Sequence, residues 1–310
     1  MARSEWFGEL GETLSDIYSG IIAMNRDFAP GEICVQEYDL ASPELITLRE
    51  KYGISDIMGD GGDFERALRL MHNFAPRLAH NSFYDNRITA DALHLLEYSL
   101  DEPEHGINCL TKAKILTECL LPAGICARRV WMLPYSPYDP DSHVICEVYD
   151  RERGKWLALD PTTDCCLVDE NESPLGVAET RELIADRRFF TSRKSVLFLS
   201  GESDSVTSEI AEQNAYYMKN MFRFRYDKRN GFGDTKEYLT VVPVGYDIAR
   251  ADMLCAKYKL DYVRANADSV DEQTFELLRS MYREKRAAYD AGKPVPLTDV
   301  SVMLAPPKCK

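Results

Sequence analysis

The sequence predicts an α+β fold in which helices come first along the chain and antiparallel strands follow. Apolar residues recur at helical spacing up to about residue 121, and short apolar-rich segments separated by Pro, Asp and Gly turns come next. Because these strands form a run instead of alternating with helices, we expect an antiparallel sheet and not an α/β fold. The 310 residues are 45% hydrophobic and 28% charged, which is typical of a packed globular protein.

Four helices are predicted before the strands, over about residues 4–25, 63–75, 90–99 and 109–121. Thr89 is the expected N-cap of the third helix and Asn108 of the fourth, since both side chains can accept a hydrogen bond from a free helical N–H. Pro76 ends or kinks the second helix, and Pro122 stops the fourth. The segment 26–62 has a mixed pattern that predicts no particular element.

The second half of the chain contains three predicted strands in succession and fewer clear signals beyond them. Strands are expected at 125–132, 143–149 and 156–160, a helix near 177–187, and a further strand at 238–244. Ser269 and Glu272 form a capping-box pattern that begins a last helix, which stops near Gly292. We therefore expect an N-terminal helical extension (1–62), a core (63–194) and a C-terminal mixed α/β extension that packs on the core (195–310).

Charge and cysteine content narrow the classes of function. The net charge of -14 argues against nucleic acid as a partner, because phosphate binding needs clustered Lys and Arg. No apolar stretch is long enough to span a membrane and no secretory signal is visible, so a cytoplasmic location is expected. The nine cysteines contain no CxxC pair, which favours free thiols and predicts no metal site. No cofactor is expected, and the sequence leaves the oligomeric state open.

Three segments carry residues suited to one acyl-transfer reaction. Cys109 begins the fourth helix, His143 begins the second strand of the run, and Asp160 ends the third. A thiolate can attack an amide or ester carbonyl, an imidazole can move the proton, and a carboxylate can orient the imidazole. Each residue alone is more often structural, so the prediction depends on the three lying together.

The expected hairpin places His143 and Asp160 on the same face of the sheet. A loop at 150–153 pairs the two residues directly, whereas a register shifted by one pair, with Gly154 as a left-handed loop residue, makes them diagonal neighbours. Side chains alternate with period two along a strand, so both registers put the imidazole and the carboxylate on one side.

The helix start favours an anion at Cys109. With Asn108 as N-cap, the thiol lies in the first turn, where the macrodipole and the unpaired N–H groups stabilise a thiolate. The backbone N–H of Cys109 could also donate to the oxyanion that forms on attack. The helix face that packs on the rest of the protein is expected to contain Cys109, Ala113, Leu116 and Leu120.

Over about residues 63–165 these segments resemble the transglutaminase-like superfamily of papain-like cysteine enzymes. The resemblance rests on the helix that begins at Cys109, the run Ala123–Val130, the strand that begins at His143, and the segment 156–162. It implies a papain-like core in which Cys109 is the nucleophile, His143 the general base and acid, and Asp160 the orienting residue.

The chain also departs from this family. Eukaryotic transglutaminases bind the oxyanion with a Trp upstream of the Cys, but no Trp lies between Trp6 and Trp131. A polar side chain would have to replace it, and Asn81 is the candidate. The calcium-binding segments and β-sandwiches of the animal enzymes have no visible counterpart, which weakens protein crosslinking as the activity.

The leading hypothesis is a cysteine-dependent hydrolase or acyltransferase acting on a peptide, a protein or a small amide. Water is favoured as the acceptor because no amine-binding site is identifiable, so the activity would be that of a cysteine protease, amidase or deamidase. The alternatives are a catalytically silent peptide- or protein-binding scaffold and a thiol peptide ligase or cyclase. Residues 195–310 show no chemical motif, and core packing is the favoured interpretation of their aromatic cluster, Tyr216, Tyr217, Phe222, Phe224 and Tyr226.

Overall fold

The fold was analysed in a computed structural model that describes residues 4–82, 84–102, 104–202, 206–234, 236–265 and 272–308. The helices are α1 (Ser4–Met24), α2 (Pro43–Lys51), α3 (Ile54–Met58), α4 (Asp63–Phe74), α5 (Ala92–Asp101), α6 (Cys109–Leu120), α7 (Val177–Ala185), α8 (Ser195–Ser200), α9 (Ser208–Asn220), α10 (Ile248–Ala265), α11 (Glu272–Asp290) and α12 (Ser301–Leu304). The strands are β1 (Glu37–Tyr38), β2 (Ala127–Leu133), β3 (His143–Asp150), β4 (Lys155–Asp160), β5 (Cys165–Val168), β6 (Thr191–Lys194), β7 (Arg223–Asp227), β8 (Arg229–Asn230) and β9 (Tyr238–Val241).

Seven of the strands form one sheet in the order β6-β5-β4-β3-β2-β7-β9, and every neighbouring pair is antiparallel. Strands β2 to β6 follow one another in the chain and form a meander, whereas β7 and β9 come from beyond residue 195 and extend the sheet past β2. The expected α+β class is confirmed. The C-terminal third of the chain supplies two strands of the sheet itself.

Helices cover both faces of the sheet, and each face has its own hydrophobic core. The first core joins α4, α5 and α6 to side chains such as Cys146 and Val148 of β3. The second core joins α7 and α9 to the opposite face, where Ile145 and Ala158 are buried. This alternation along β3 and β4 follows from the period of two in a strand.

Several sequence predictions of local structure need correction. The segment 26–62 contains α2 and α3, and β5, β6, β7, α9 and α10 were not anticipated. The N-cap of α5 is Asp91 and not Thr89, because the Asp91 carboxylate accepts the N–H of His94 at 3.0 Å. The predicted capping residue Ser269 lies outside the described residues. Cys126 is disulfide-bonded, so the expectation that all cysteines are free thiols is wrong at this position.

A buried arginine connects strand β2 to the segment before α2 and to helix α12. Arg128 of β2 is completely buried and lies between the rings of Trp156 and Tyr226, at 3.8 and 4.6 Å from their centroids. All five of its N–H donors are used, which is the full capacity of a guanidinium group. The acceptors are the Glu147 carboxylate (two bonds, 3.0 and 2.7 Å), the Gln36 side chain (2.9 Å) and the carbonyls of Val302 and Met303 (2.8 Å each).

Candidate active site

A cleft of about 610 Å³ opens at the end of the sheet where β3 begins and β4 ends. Cys109, His143 and Asp160 all line it, although they are widely separated in the chain. The structure therefore brings the three predicted residues together in one cleft.

Helix α6 presents the thiol at its first residue. Asn108 is the N-cap, as predicted, and its side-chain oxygen accepts the N–H of Thr111 at 3.1 Å. Its amide nitrogen donates to the carbonyl of Tyr84 and to the side chain of Asn86, so the cap is itself held in place. As the first helical residue, Cys109 has a backbone N–H with no acceptor inside the helix. Its half-buried side chain faces the cleft.

The hairpin adopts the second of the two predicted registers. Asp150 pairs with Lys155 and Glu147 with Ala158, so continuing the ladder places Asp160 opposite Ile145 and diagonal to His143. The directly paired register is wrong because Gly154 is the last residue of the loop, with a left-handed φ of 66° that glycine adopts without strain.

The imidazole and the carboxylate form a buried ion pair. His143 Nε2 lies 2.8 Å from Asp160 Oδ2, and the two side chains are only 5% and 3% exposed. This contact occupies Nε2 and leaves Nδ1 as the ring nitrogen available to the thiol. Burial alone would lower the pKa of His143, but the charge of Asp160 and hydrogen bonds to Asp160 and Cys109 outweigh it and raise that pKa to about 10. The Asp160 carboxylate thus favours the protonated form of His143.

Several donors besides His143 stabilise the Asp160 anion. Oδ2 accepts hydrogen bonds from the Tyr217 hydroxyl at 2.5 Å and the Thr163 hydroxyl at 2.9 Å, and Oδ1 accepts the N–H of Thr162 at 2.8 Å. Burial would raise the pKa of this carboxyl group, yet the charge of His143 and these hydrogen bonds hold it well below its usual value.

Helix α9 contributes two residues, Tyr216 and Tyr217, that the sequence analysis did not assign to the site. Tyr217 contacts Asp160, and the ring of Tyr216 meets that of His143 edge to face with 5.4 Å between centroids. Both tyrosines line the cleft, but Tyr217 is also buried in the second hydrophobic core, so the interpretation as core packing is confirmed for Tyr217 and is wrong only for the half-buried Tyr216. It is confirmed for Phe222, Phe224 and Tyr226, which are buried. No local pattern could reveal Tyr217, which is 57 positions from Asp160.

A further part of the cleft lining comes from the segment that precedes α5. His80 and Ser82 line the cleft, and the His80 Nε2 atom lies 2.9 Å from the Ser82 hydroxyl oxygen. Asn81 is exposed, and its backbone N–H donates to the carbonyl of Ile107 at 3.0 Å. The cleft lining thus includes the two neighbours of Asn81, and the role of Asn81 as an oxyanion donor stays a prediction.

A buried lysine lies one helical turn from the thiol. Lys112 follows Cys109 by three residues on α6 and is only 2% exposed. Burial lowers its pKa, while the charges of Asp160 and Cys109 act in the opposite direction. The helical spacing of the two residues, one turn apart, could have indicated this neighbour.

The ion pair predicts how stability depends on pH. The pKa of His143 is raised on folding, so its contribution is fully present below about pH 6.5, its unfolded value, and is lost as the pH rises toward about 10. We expect the urea midpoint of the wild-type chain to fall more steeply between pH 7 and pH 10 than that of His143→Gln. The control is His72→Gln, which removes an outer His–Asp contact with Asp164. The same dependence of the urea midpoint on pH in the wild-type chain and in His143→Gln would contradict the expectation.

Neither a metal-binding cluster nor a membrane-spanning helix is found in the part of the chain that the structure describes. No group of three or more His, Cys, Asp or Glu side chains there could hold a metal ion. None of the helices in the described ranges combines the length and apolar character needed to cross a membrane. Comparison with known proteins found no matching family model, no matching curated protein and no matching solved structure.

Proposed function

We propose that this chain is a cysteine-dependent acyl-transfer enzyme that acts on an amide, with water as the favoured acceptor. The observation that carries the proposal is the buried His143–Asp160 pair at 2.8 Å, in the same cleft as a thiol at a helix N-terminus. A catalytic set needs a nucleophile, a group that moves protons and a group that orients it, and this cleft offers all three.

The reaction would proceed in two acyl-transfer steps. The Cys109 thiolate attacks the amide carbonyl, and the backbone N–H of Cys109 donates to the resulting oxyanion. The His143 imidazolium then gives its proton to the departing amine as the C–N bond breaks, which leaves a thioester. Water attacks the thioester while His143 takes its proton, the C–S bond breaks, and the carboxylic acid is released with the Cys109 thiolate and the His143 imidazolium regenerated. Asp160 keeps the ring oriented in both steps.

The charges in the cleft support water over a cationic amine as the acceptor. A lysine-like acceptor would need a free carboxylate nearby, and the carboxylates of the described lining are Asp141 and Asp160. Asp160 is bound to His143, and Asp141 is bound to Lys219 at 3.0 Å and to the Tyr216 hydroxyl at 3.2 Å. Both are engaged, so hydrolysis is the simpler outcome.

The resemblance to the transglutaminase-like superfamily supports the same function. A papain-like core implies a helix that carries the Cys and packs on one face of an antiparallel sheet. It also implies that the His and the Asp lie on neighbouring strands of that sheet. The proposal therefore includes a papain-like core and a cytoplasmic location. The proposed substrate is a peptide, a protein or a small amide.

Thiol reactivity tests the proposal without a known substrate. Among the described free thiols, Cys34, Cys109 and Cys255 are partly exposed. We expect limiting iodoacetamide at pH 7, followed by peptide mapping, to modify Cys109 at least about tenfold faster than the other two, because Cys109 shares its cleft with an imidazole that can take the thiol proton. In His143→Ala, the rate of Cys109 modification should fall to that of Cys34 and Cys255.

The matched control is His72→Ala, which should leave the Cys109 rate unchanged. Equal modification of the three partly exposed thiols in the wild-type chain would contradict the proposal. Selective modification without cleavage of any peptide amide, together with full biological effect of Cys109→Ala, would favour a binding scaffold instead.

A further inference from the structure

We propose that Tyr217, Thr163 and Gln213 form a positioning unit that keeps Asp160 ionised and directed at His143. This inference rests on the proposed function, since it assigns positioning residues to that same site. The unit brings α9, from the C-terminal third of the chain, into contact with a triad that is otherwise contained within residues 109–160.

The direction of each hydrogen bond in the unit follows from Gln213. Its Nε2 lies 2.8 Å from both the Thr163 and the Tyr217 hydroxyl oxygens, and an amide nitrogen carries two hydrogens and can only donate. Both hydroxyl oxygens therefore act as acceptors toward Gln213. Each hydroxyl has one hydrogen left. The two hydroxyl oxygens lie 3.2 Å apart, but both are closer to Asp160 Oδ2, at 2.9 and 2.5 Å, and the charged oxygen is the stronger acceptor. A carboxylate that accepts these bonds has no site for a proton of its own on Oδ2.

Burial makes this arrangement effective. Tyr217 is 1% exposed and Asp160 is 3% exposed, so water does not compete for these hydrogen bonds. Burial also raises the pKa of Tyr217 well above its usual value, which keeps the hydroxyl protonated and able to donate. Hydrogen bonds to a charged acceptor in a low-dielectric site are among the stronger ones in proteins.

Helix α9 is fastened close to the unit. The Asn214 side chain accepts the N–H of Ser192 at 2.9 Å and donates to the Thr191 hydroxyl at 3.0 Å, which ties the helix to β6. Asn214 is adjacent to Gln213 in α9, so these bonds fix the position of this part of the helix relative to the sheet. Tyr217, one turn later, is thereby held over Asp160.

The test compares Tyr217→Phe with Tyr226→Phe. Tyr226 is equally buried, but its hydroxyl has no hydrogen-bond partner within the described residues and lies outside the cleft lining. Both variants delete one hydroxyl and keep the ring. We expect Tyr217→Phe to slow alkylation of Cys109 at pH 7 by about ten- to a hundredfold, because displacement of a catalytic group by about 1 Å has an effect of this order. Tyr226→Phe should retain the wild-type rate.

A spectroscopic readout separates positioning from a general loss of packing. Without the Tyr217 donor, Asp160 should accept more strongly from His143, so the downfield proton NMR resonance of the His143 Nε2–H should move further downfield. Gln213→Glu should also move the His143 resonance downfield. In this variant the carboxylate at position 213 is an acceptor, so it would draw away one hydroxyl hydrogen that is donated to Asp160 in the wild-type chain. Tyr226→Phe should leave the resonance in place.

Wild-type alkylation rate and an unmoved resonance in Tyr217→Phe would overturn the inference. So would a loss of rate that Tyr226→Phe reproduces, since that would indicate packing alone. The proposed function fails separately: an unreactive Cys109 in the wild-type chain would refute it, and the resonance would still report whether Tyr217 acts on the His143–Asp160 pair.

Discussion

Asp160→Asn is expected to reduce the proposed amide turnover by a factor on the order of 10⁴, as the equivalent exchange does in a serine triad. The amide removes the negative charge that stabilises the buried imidazolium, and its nitrogen can take the position of Oδ2, where it would donate toward His143. The pKa of His143 should then fall from its raised value, because burial would act on the ring without the opposing charge.

Turnover of a peptide-amide panel and alkylation of Cys109 would both be measured for this variant. The control is Asp164→Asn, which removes the carboxylate that contacts His72 at 2.7 Å outside the triad. Asp164→Asn should keep most of the activity. Retention of more than a tenth of wild-type turnover by Asp160→Asn would show that His143 does not depend on this carboxylate.

Arg128→Ala is expected to lower the free energy of unfolding by about 3–5 kcal/mol, because it leaves the buried Glu147 carboxylate without its counter-charge. Several other acceptors lose their donors at the same time, and the space between Trp156 and Tyr226 is emptied. This variant should therefore affect stability more than any substitution of a single exposed ion-pair residue.

Urea unfolding followed by tryptophan fluorescence would measure the change. Arg26→Ala is the control, since Arg26 is an exposed arginine paired with Glu182 and Asp186, and its loss should leave the midpoint nearly unchanged. Similar midpoints for the two variants would show that the buried network contributes little. Adding Glu147→Gln to Arg128→Ala should recover part of the loss, because the uncompensated charge is then removed.

The parts of the site that the sequence predicted depend on short-range signals. Asn108 and Cys109 were placed correctly because a helix start is determined by an N-cap residue and the turn that follows it. The hairpin face was predictable because alternation survives a shift of one pair, although the register itself depended on the backbone angle of Gly154.

The parts that were missed depend on contacts between distant segments. The pairing of β7 with β2 joins residues nearly a hundred positions apart, and nothing local in either strand specifies the partner. Tyr217 lies in a helix whose apolar positions look like ordinary core, and its hydroxyl acquires a role only where α9 crosses the end of β4. Asp91 was missed as an N-cap because Thr89, two residues earlier, satisfies the same rule.

The chain order of these contacts has a consequence during protein synthesis. Cys109, His143 and Asp160 are all synthesised before α9 and β7, and at elongation rates of about 5–20 residues per second the delay is on the order of several seconds. Until then the sheet lacks two strands and the carboxylate lacks its tyrosine donor. A nascent chain would therefore expose the Cys109 thiol before His143 and Asp160 are aligned. The complete site would form only after the last third of the chain has been synthesised.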